Sequence, residues 1–151
     1  MKRNVLFFLV LSLSLTGFAQ NSPEPVKWSF TAKKIADKKY EVHLTATIER
    51  EWHIYSQTTP DGGPVATTIT FAANPLASMD GAVAEVGKLE KHFEDLFGVE
   101  VKQFSDKVDF VQVVVFKANV KTNISGTVKF MVCNDKMCLP PKSLPFSIAL
   151  K

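Results

Sequence analysis

An uninterrupted alternation of apolar and polar residues in segment 40–49 constrains the fold more than any other feature of the sequence. Tyr, Val, Leu, Ala and Ile occupy its even positions, and Glu, His and Thr occupy its odd positions. Side chains of a β-strand alternate between two faces with this period, whereas a helix would need apolar residues three or four positions apart. The segment therefore predicts a strand with one buried and one wet face, which is typical of an antiparallel sheet.

Further alternating or β-branched segments follow, separated by turn signals rich in Gly, Pro, Asn and Asp. Residues 89–97 have the one helix-like spacing, and we predict a loop or single turn there because the stretch is short and ends at Gly98. Residues 119–126 are predicted to form a turn. The strand-like segments are 28–32, 65–71, 83–88, 108–117, 128–132 and 144–150.

The number and spacing of these segments indicate the fold class. Residues 108–117 are apolar on both predicted faces, which favours a central strand between two covering layers. Roughly seven or eight short strands with almost no helix predict an all-β domain, an immunoglobulin-like antiparallel β-sandwich. A β-barrel is the alternative architecture.

The N-terminus has the pattern of an export signal. Lys2 and Arg3 precede an apolar core at 5–15, and small residues stand at Gly17 and Ala19. This pattern predicts a signal peptide at 1–19 that is cleaved after Ala19, because the apolar run is too short to span a bilayer as a helix. We therefore expect one domain at 20–151 in the periplasm, without stable membrane insertion, where thiols tend to be oxidised.

The charge balance excludes one class of partner. The chain has 18 basic and 15 acidic residues, and removing Lys2 and Arg3 leaves 16 against 15, a formal charge of +1. Lysines and acidic residues are interspersed rather than clustered. We therefore expect no nucleic acid partner.

The only two cysteines, Cys133 and Cys138, flank a turn-forming segment that begins Asn134-Asp135. A disulfide between them would close a short loop worth about 2 kcal/mol, which makes it a weak structural cross-link. Two cysteines at a tight corner can also form a reversible redox pair. Spacing alone leaves an inert disulfide and a redox-active disulfide equally open.

Three stretches of the chain, in matching order, resemble one protein family. Segment 130–141 carries both cysteines and ends in an apolar residue and two prolines, and segments 52–56 and 94–98 are aromatic and acidic–aromatic. Together they resemble the N-terminal periplasmic domain of DsbD-type thiol:disulfide interchange proteins. The resemblance implies an immunoglobulin-like electron-transfer domain, a component of a protein-disulfide reductase. It would pass reducing equivalents from a thioredoxin-like donor to periplasmic acceptors, without a cofactor or a metal.

The resemblance also implies site residues. Cys138 would form mixed disulfides with partners, and Cys133 would resolve them. A cap loop would cover this pair, and a wall would face it. The cap loop comprises Glu94, Asp95, Leu96 and Phe97, and the wall comprises His53 and Tyr55.

Three departures from the family pattern accompany this resemblance. Four residues separate the cysteines here, whereas better-known members have five. Leu96 stands where a cap aromatic is usual, so we expect either that Phe97 takes that part or that the cap is looser. The chain shows neither membrane segments nor a thioredoxin-like domain, so we expect the donor to be another protein, such as a DsbD-type membrane protein.

Two other functions fit the same residues. Thiolate and thioether ligands suit Cu(I), and the chain offers Met131, Cys133, Met137 and Cys138 within one segment. The alternative function is therefore a soft-metal binding protein. A third is an immunoglobulin-like interaction module whose disulfide is inert.

Overall fold

The computed structural model describes residues 23–95, 97–119 and 121–150. The predicted signal peptide at 1–19 lies outside these residues, as does Leu96 of the predicted cap loop. Within the described ranges there is no helix long and apolar enough to cross a membrane.

The described residues form nine β-strands that pair antiparallel throughout. The strands are β1 (Val26–Ala36), β2 (Lys39–Ile48), β3 (His53–Tyr55), β4 (Thr68–Phe71), β5 (Ala77–Glu94), β6 (Val99–Phe116), β7 (Thr122–Phe130), β8 (Val132–Cys133) and β9 (Lys142–Leu150). One sheet has the order β1-β2-β6-β3-β8, with β5 paired to the edge of β6 opposite β2 and β3, and the second has the order β4-β7-β9. The predicted all-β antiparallel class is confirmed.

The core lies between the two sheets and is built from their alternating residues. The even positions of β2, from Tyr40 to Ile48, are buried, as its sequence pattern predicts. Trp28 of β1 lies 5.8 Å from the Phe110 ring and 5.2 Å from the Phe130 ring, so aromatic contacts join the two sheets.

A glycine allows β4 and β7 to pair closely. A Cβ at Gly126 of β7 would collide with the Thr70 carbonyl oxygen and the Phe146 ring. Only a residue without a side chain fits between β4 and the core at this point.

The stretch 89–97 is mostly strand, so the predicted loop or single turn is wrong for its greater part. Strand β5 continues to Glu94 and pairs with β6 to form a long hairpin that turns at Gly98, where φ is +68°. Leu89 and Phe93 are exposed on this edge strand, so their helix-like spacing does not mark a buried face. Backbone hydrogen bonds to β6 hold this part of β5 in a strand although its sequence lacks a regular two-residue period.

Strand β6 is central because β2 and β3 pair with one of its edges and β5 with the other. The predicted second covering layer is nevertheless wrong. Val111 and Val113 pair with His43 and Glu41 of β2, are only half-buried and lie outside the core. β-Branched residues suit such a half-exposed pleated surface. The predicted turn at 119–126 is also shorter than expected, because β7 begins at Thr122.

Candidate functional site

The two cysteines form a disulfide across a tight hairpin. Cys133 ends the edge strand β8 and faces Cys138 directly, with 4.1 Å between their Cα atoms. The Asn134 carboxamide oxygen accepts the backbone N–H groups of Lys136 and Met137, both at 2.9 Å. This side-chain cap closes the turn and brings the two cysteines opposite each other.

The two sulfur-bearing residues differ in exposure. Cys133 is 1% exposed, whereas Cys138 is half-buried. Cys133 forms a small apolar cluster with Tyr55 and Val101, and Val99 and Met131 pack against it. A partner in solution can therefore approach Cys138 more readily than Cys133.

Strand β3 places two polar side chains beside Cys133. His53 pairs directly with Cys133, and Tyr55 lies two positions further on the same face, whereas Ile54 points into the core. His53 is 7% exposed and Tyr55 is fully buried. Their polar atoms meet, with His53 Nε2 3.1 Å from Tyr55 Oη.

A hydrogen-bonded chain connects this wall to the end of β5. The Tyr55 hydroxyl donates to Glu94 Oε2 at 3.4 Å. Because its single hydrogen is used there, the Tyr55 oxygen accepts from the Nε2–H of His53. The sequence elements 53–55 and 94 are therefore joined through side chains, although they are far apart in the chain.

Burial sets the protonation of this chain of residues. It raises the pKa of Tyr55 far above its ordinary value, and the neighbouring Glu94 carboxylate raises it further. Burial lowers the pKa of His53, against the attraction of the carboxylates of Glu94 and Asp135. Near neutral pH, Tyr55 is thus protonated and His53 is uncharged.

The predicted cap residues do not all behave alike. Glu94 contacts the wall through Tyr55, whereas Asp95 is exposed and Phe97 is 37% exposed. Backbone N–H groups of Phe97 and Gly98 donate to the Glu94 carbonyl at 3.1 and 2.7 Å and form the hairpin tip. Leu96 lies outside the described residues.

Sequence reasoning missed the apolar neighbours of the disulfide. Both valines near the start of β6 contribute, Val101 as a member of the cluster around Cys133 and Val99 by packing against it. No local pattern distinguishes them from other strand valines, because their contact with Cys133 depends on how β3 and β8 align with β6.

The four proposed Cu(I) ligands are spread over different surroundings. Met131 packs beside Cys133, and its sulfur accepts the Val65 N–H at 3.4 Å. Met137 is 51% exposed and is not part of that cluster. Across 23–95, 97–119 and 121–150, no group of three or more His, Cys, Asp or Glu side chains is placed to hold a metal ion.

Comparisons with known proteins agree on family and fold. The family model described as "Thiol:disulfide interchange protein DsbD, N-terminal" matches residues 20–149. No curated protein matches the chain.

Two solved structures share this fold. The N-terminal periplasmic domain of ScsB from Proteus mirabilis is 16% identical with a TM-score of 0.58, and the match covers 85% of this chain and 47% of that one. This chain thus spans about half the length of that structure. The DsbD N-terminal domain of Neisseria meningitidis, in the reduced form, is 15% identical with a TM-score of 0.52, covering 80% and 83% of the two chains. These likenesses confirm the predicted immunoglobulin-like sandwich.

Proposed function

The chain belongs to the family of DsbD N-terminal domains, and from this we propose that it exchanges its Cys133–Cys138 disulfide with partner proteins in the periplasm. One observation carries the proposal: the disulfide lies on an edge hairpin with one cysteine buried and the other half-exposed. A structural cross-link needs no such asymmetry, whereas thiol–disulfide exchange requires one reachable sulfur.

The exposure of the two cysteines suggests the order of steps. A donor thiolate attacks the Cys138 sulfur, forms a mixed disulfide with it and breaks its bond to Cys133, which leaves as a thiolate. The donor's second thiolate then attacks the donor sulfur in the mixed disulfide and releases Cys138. Two electrons have passed from the donor to the pair, and the two thiolates take protons from water. The same steps in reverse reduce a substrate disulfide: the Cys138 thiolate attacks it, and the Cys133 thiolate then attacks Cys138. The Cys133–Cys138 disulfide forms again, and the substrate leaves with two thiols.

The partners in this scheme are proteins with their own cysteine pairs. We assign the donor role to a thioredoxin-like protein, which a DsbD-type membrane protein can supply, and the acceptor role to oxidised periplasmic proteins. Electrons then flow from the donor through Cys138 to the acceptor. The sandwich contributes a rigid support and needs no cofactor for these steps.

The wall and the hairpin tip supply selectivity in this scheme. The contact between Tyr55 and Glu94 holds the tip of the β5–β6 hairpin next to the cluster around Cys133. Asp95, Leu96 and Phe97 complete the proposed cap. A docking partner displaces the cap, whereas small thiols meet it as a steric barrier.

Trapping of mixed disulfides tests the proposal. A Cys133→Ala variant keeps the reachable sulfur but lacks the thiol that would resolve a mixed disulfide. It should therefore accumulate mixed disulfides with thioredoxin-like proteins in the periplasm. The matched Cys138→Ala variant keeps only the buried sulfur and should accumulate far fewer. Non-reducing gels and mass spectrometry identify the products, and equal trapping by both variants, or none by either, would contradict the proposal.

A further inference from the structure

A polar cavity of about 320 Å³ lies beside the turn that joins the two cysteines. Its base includes His53, which pairs directly with Cys133, and its rim includes Asn134 and Asp135 of the turn itself. A group attached to Cys138 through a mixed disulfide would therefore lie within reach of this cavity. Its lining indicates what kind of group fits.

The rim carries an excess of negative charge. Three exposed carboxylates line it, those of Glu51, Asp106 and Asp135, against the single ammonium of Lys136. His53 is uncharged near neutral pH because burial lowers its pKa. The cavity therefore favours a cationic group over an anionic one.

The base holds an acceptor that lacks a protein partner. Gln103 is only 9% exposed, lines the cavity, and its Oε1 atom makes no hydrogen bond with any described residue. A buried amide oxygen without a donor costs roughly 1–3 kcal/mol, so such groups are uncommon in folded proteins. Because this oxygen is itself buried, it reaches the cavity only if the amide plane turns over, which exchanges the positions of Oε1 and Nε2. A ligand that brings hydrogen-bond donors into the cavity would satisfy the amide in that orientation.

One wall of the cavity is aromatic. Trp52 lines it and is half-buried, with part of its side chain packed against the core. An indole face attracts cations, and a planar guanidinium stacks on it better than a compact ammonium. The negatively charged rim, the unpaired amide of Gln103 and the indole of Trp52 together favour a guanidinium group.

We propose that this cavity is a subsite for an arginine side chain of the redox partner, positioned next to the partner cysteine that bonds to Cys138. The inference rests on the proposed function and adds the chemistry of the partner. The guanidinium lies against Trp52, donates to Gln103 and faces the carboxylates of Asp106 and Asp135. The subsite thereby selects disulfides that carry a nearby positive, planar group.

Small symmetric disulfides test this selectivity on the full reduced chain. Guanidinoethyl, aminoethyl and hydroxyethyl disulfide share a two-carbon arm and differ only in its end group. In each case the Cys138 thiolate attacks one probe sulfur and expels one thiolate, and the Cys133 thiolate then attacks Cys138 and expels the second. The chain is oxidised by two electrons, and the probe is reduced to two thiols that take protons from water.

The measured quantity is the rate of mixed-disulfide formation for each probe, divided by its rate with a free thiol such as glutathione. After this correction we expect guanidinoethyl disulfide to react about tenfold faster than hydroxyethyl disulfide, with aminoethyl disulfide in between. Asp106→Asn or Asp135→Asn should each lower the guanidinoethyl-to-hydroxyethyl ratio about two- to fivefold, the range for an exposed ion pair. High salt should lower the wild-type ratio as well.

Two variants serve as controls. Asp37→Asn removes an exposed carboxylate from the remote β1–β2 turn and should leave the ratio unchanged. Gln103→Met, of similar size, should lower the ratio without lowering the melting temperature, because no protein hydrogen bond is lost.

The outcomes separate this inference from the proposed function. Equal corrected rates for the three probes, with rapid reaction of all of them, would overturn the subsite and leave disulfide exchange intact. Equal rates for the guanidinoethyl and aminoethyl probes would overturn the assignment to arginine. Failure of all probes to oxidise the reduced chain would overturn this inference, whereas the proposed function fails separately, if the trapping experiment yields no mixed disulfides.

Discussion

The hydrogen bond between Tyr55 and Glu94 should control how readily small thiols reach the disulfide. This side-chain hydrogen bond links the wall to the hairpin tip, and Tyr55→Phe removes it while preserving the buried ring. If attack on Cys138 requires the tip to move away, the rate follows the equilibrium between closed and open tip. Weakening the closed form should therefore speed up reduction by dithiothreitol.

The structure sets the size of this effect. Hydrogen bonds to charged groups contribute about 1.5–3 kcal/mol. This one is long, at 3.4 Å, and Glu94 is only half-buried, so we take about 1 kcal/mol. At room temperature that corresponds to about a fivefold higher open population and a fivefold higher rate of reduction.

The assay is a time course of reduction under excess dithiothreitol, quenched by alkylation and read by mass spectrometry. Tyr40→Phe is the matched control, since Tyr40 is buried near the start of β2, beside Phe116 and away from the disulfide. Unfolding free energies of both variants correct for global destabilisation. The reasoning is refuted if Tyr55→Phe reacts at the wild-type rate, or if the control accelerates equally.

Three further predictions concern stability. Burial lowers the pKa of His53 below its ordinary 6.5, so the unfolded chain takes up the proton first. Stability should therefore be complete above pH 6.5 and decline below it, by at most about 1.4 kcal/mol per pH unit, and His53→Gln should flatten this decline in urea titrations. Gly126→Ala should lower the free energy of unfolding by about 3 kcal/mol, because the new Cβ forces β4 away from β7. At Gly81 a Cβ meets open space, but the φ of +76° is strained for alanine, so Gly81→Ala should lower it by about 1–2 kcal/mol. Equal losses for the two variants would contradict this reasoning. Glu85→Ala removes the acceptor of two 2.7 Å hydrogen bonds, from the Ser56 hydroxyl and the Gln57 backbone N–H. The free energy of unfolding should therefore fall by about 2 kcal/mol, and amide exchange in the segment after β3 should accelerate. Unchanged exchange there would speak against an anchoring role for Glu85.

Sequence patterns predicted best the strands that have one face in the core. The alternation in β2 is reproduced residue by residue as alternating burial. Edge strands were harder to predict, as the second half of β5 shows, because Leu89 and Phe93 are exposed there and such a stretch carries no hydrophobic period. Its hairpin with β6 is held by backbone pairing, which the sequence does not display.

Parts of the candidate site were predictable for a similar reason. The turn between the cysteines is encoded by Asn134, whose side chain caps it locally. The resemblance singled out His53, Tyr55 and Glu94, and the structure brings these side chains together. The unpaired amide of Gln103 had no sequence signal, because an unsatisfied acceptor is recognised only once its neighbours are known.

The amino-acid sequence by itself determined that this chain is all-β and that its two cysteines face each other across a short turn. Both are encoded in local patterns, the two-residue alternation of the strands and the turn-forming residues between the cysteines. Only the tertiary structure decided which cysteine is buried and what surrounds it. Val99 and Val101 at the start of β6 reach the cluster around Cys133 through strand register. Glu94 at the end of β5 reaches Tyr55 in the same way. Register depends on the simultaneous packing of distant segments, and no local pattern contains that information.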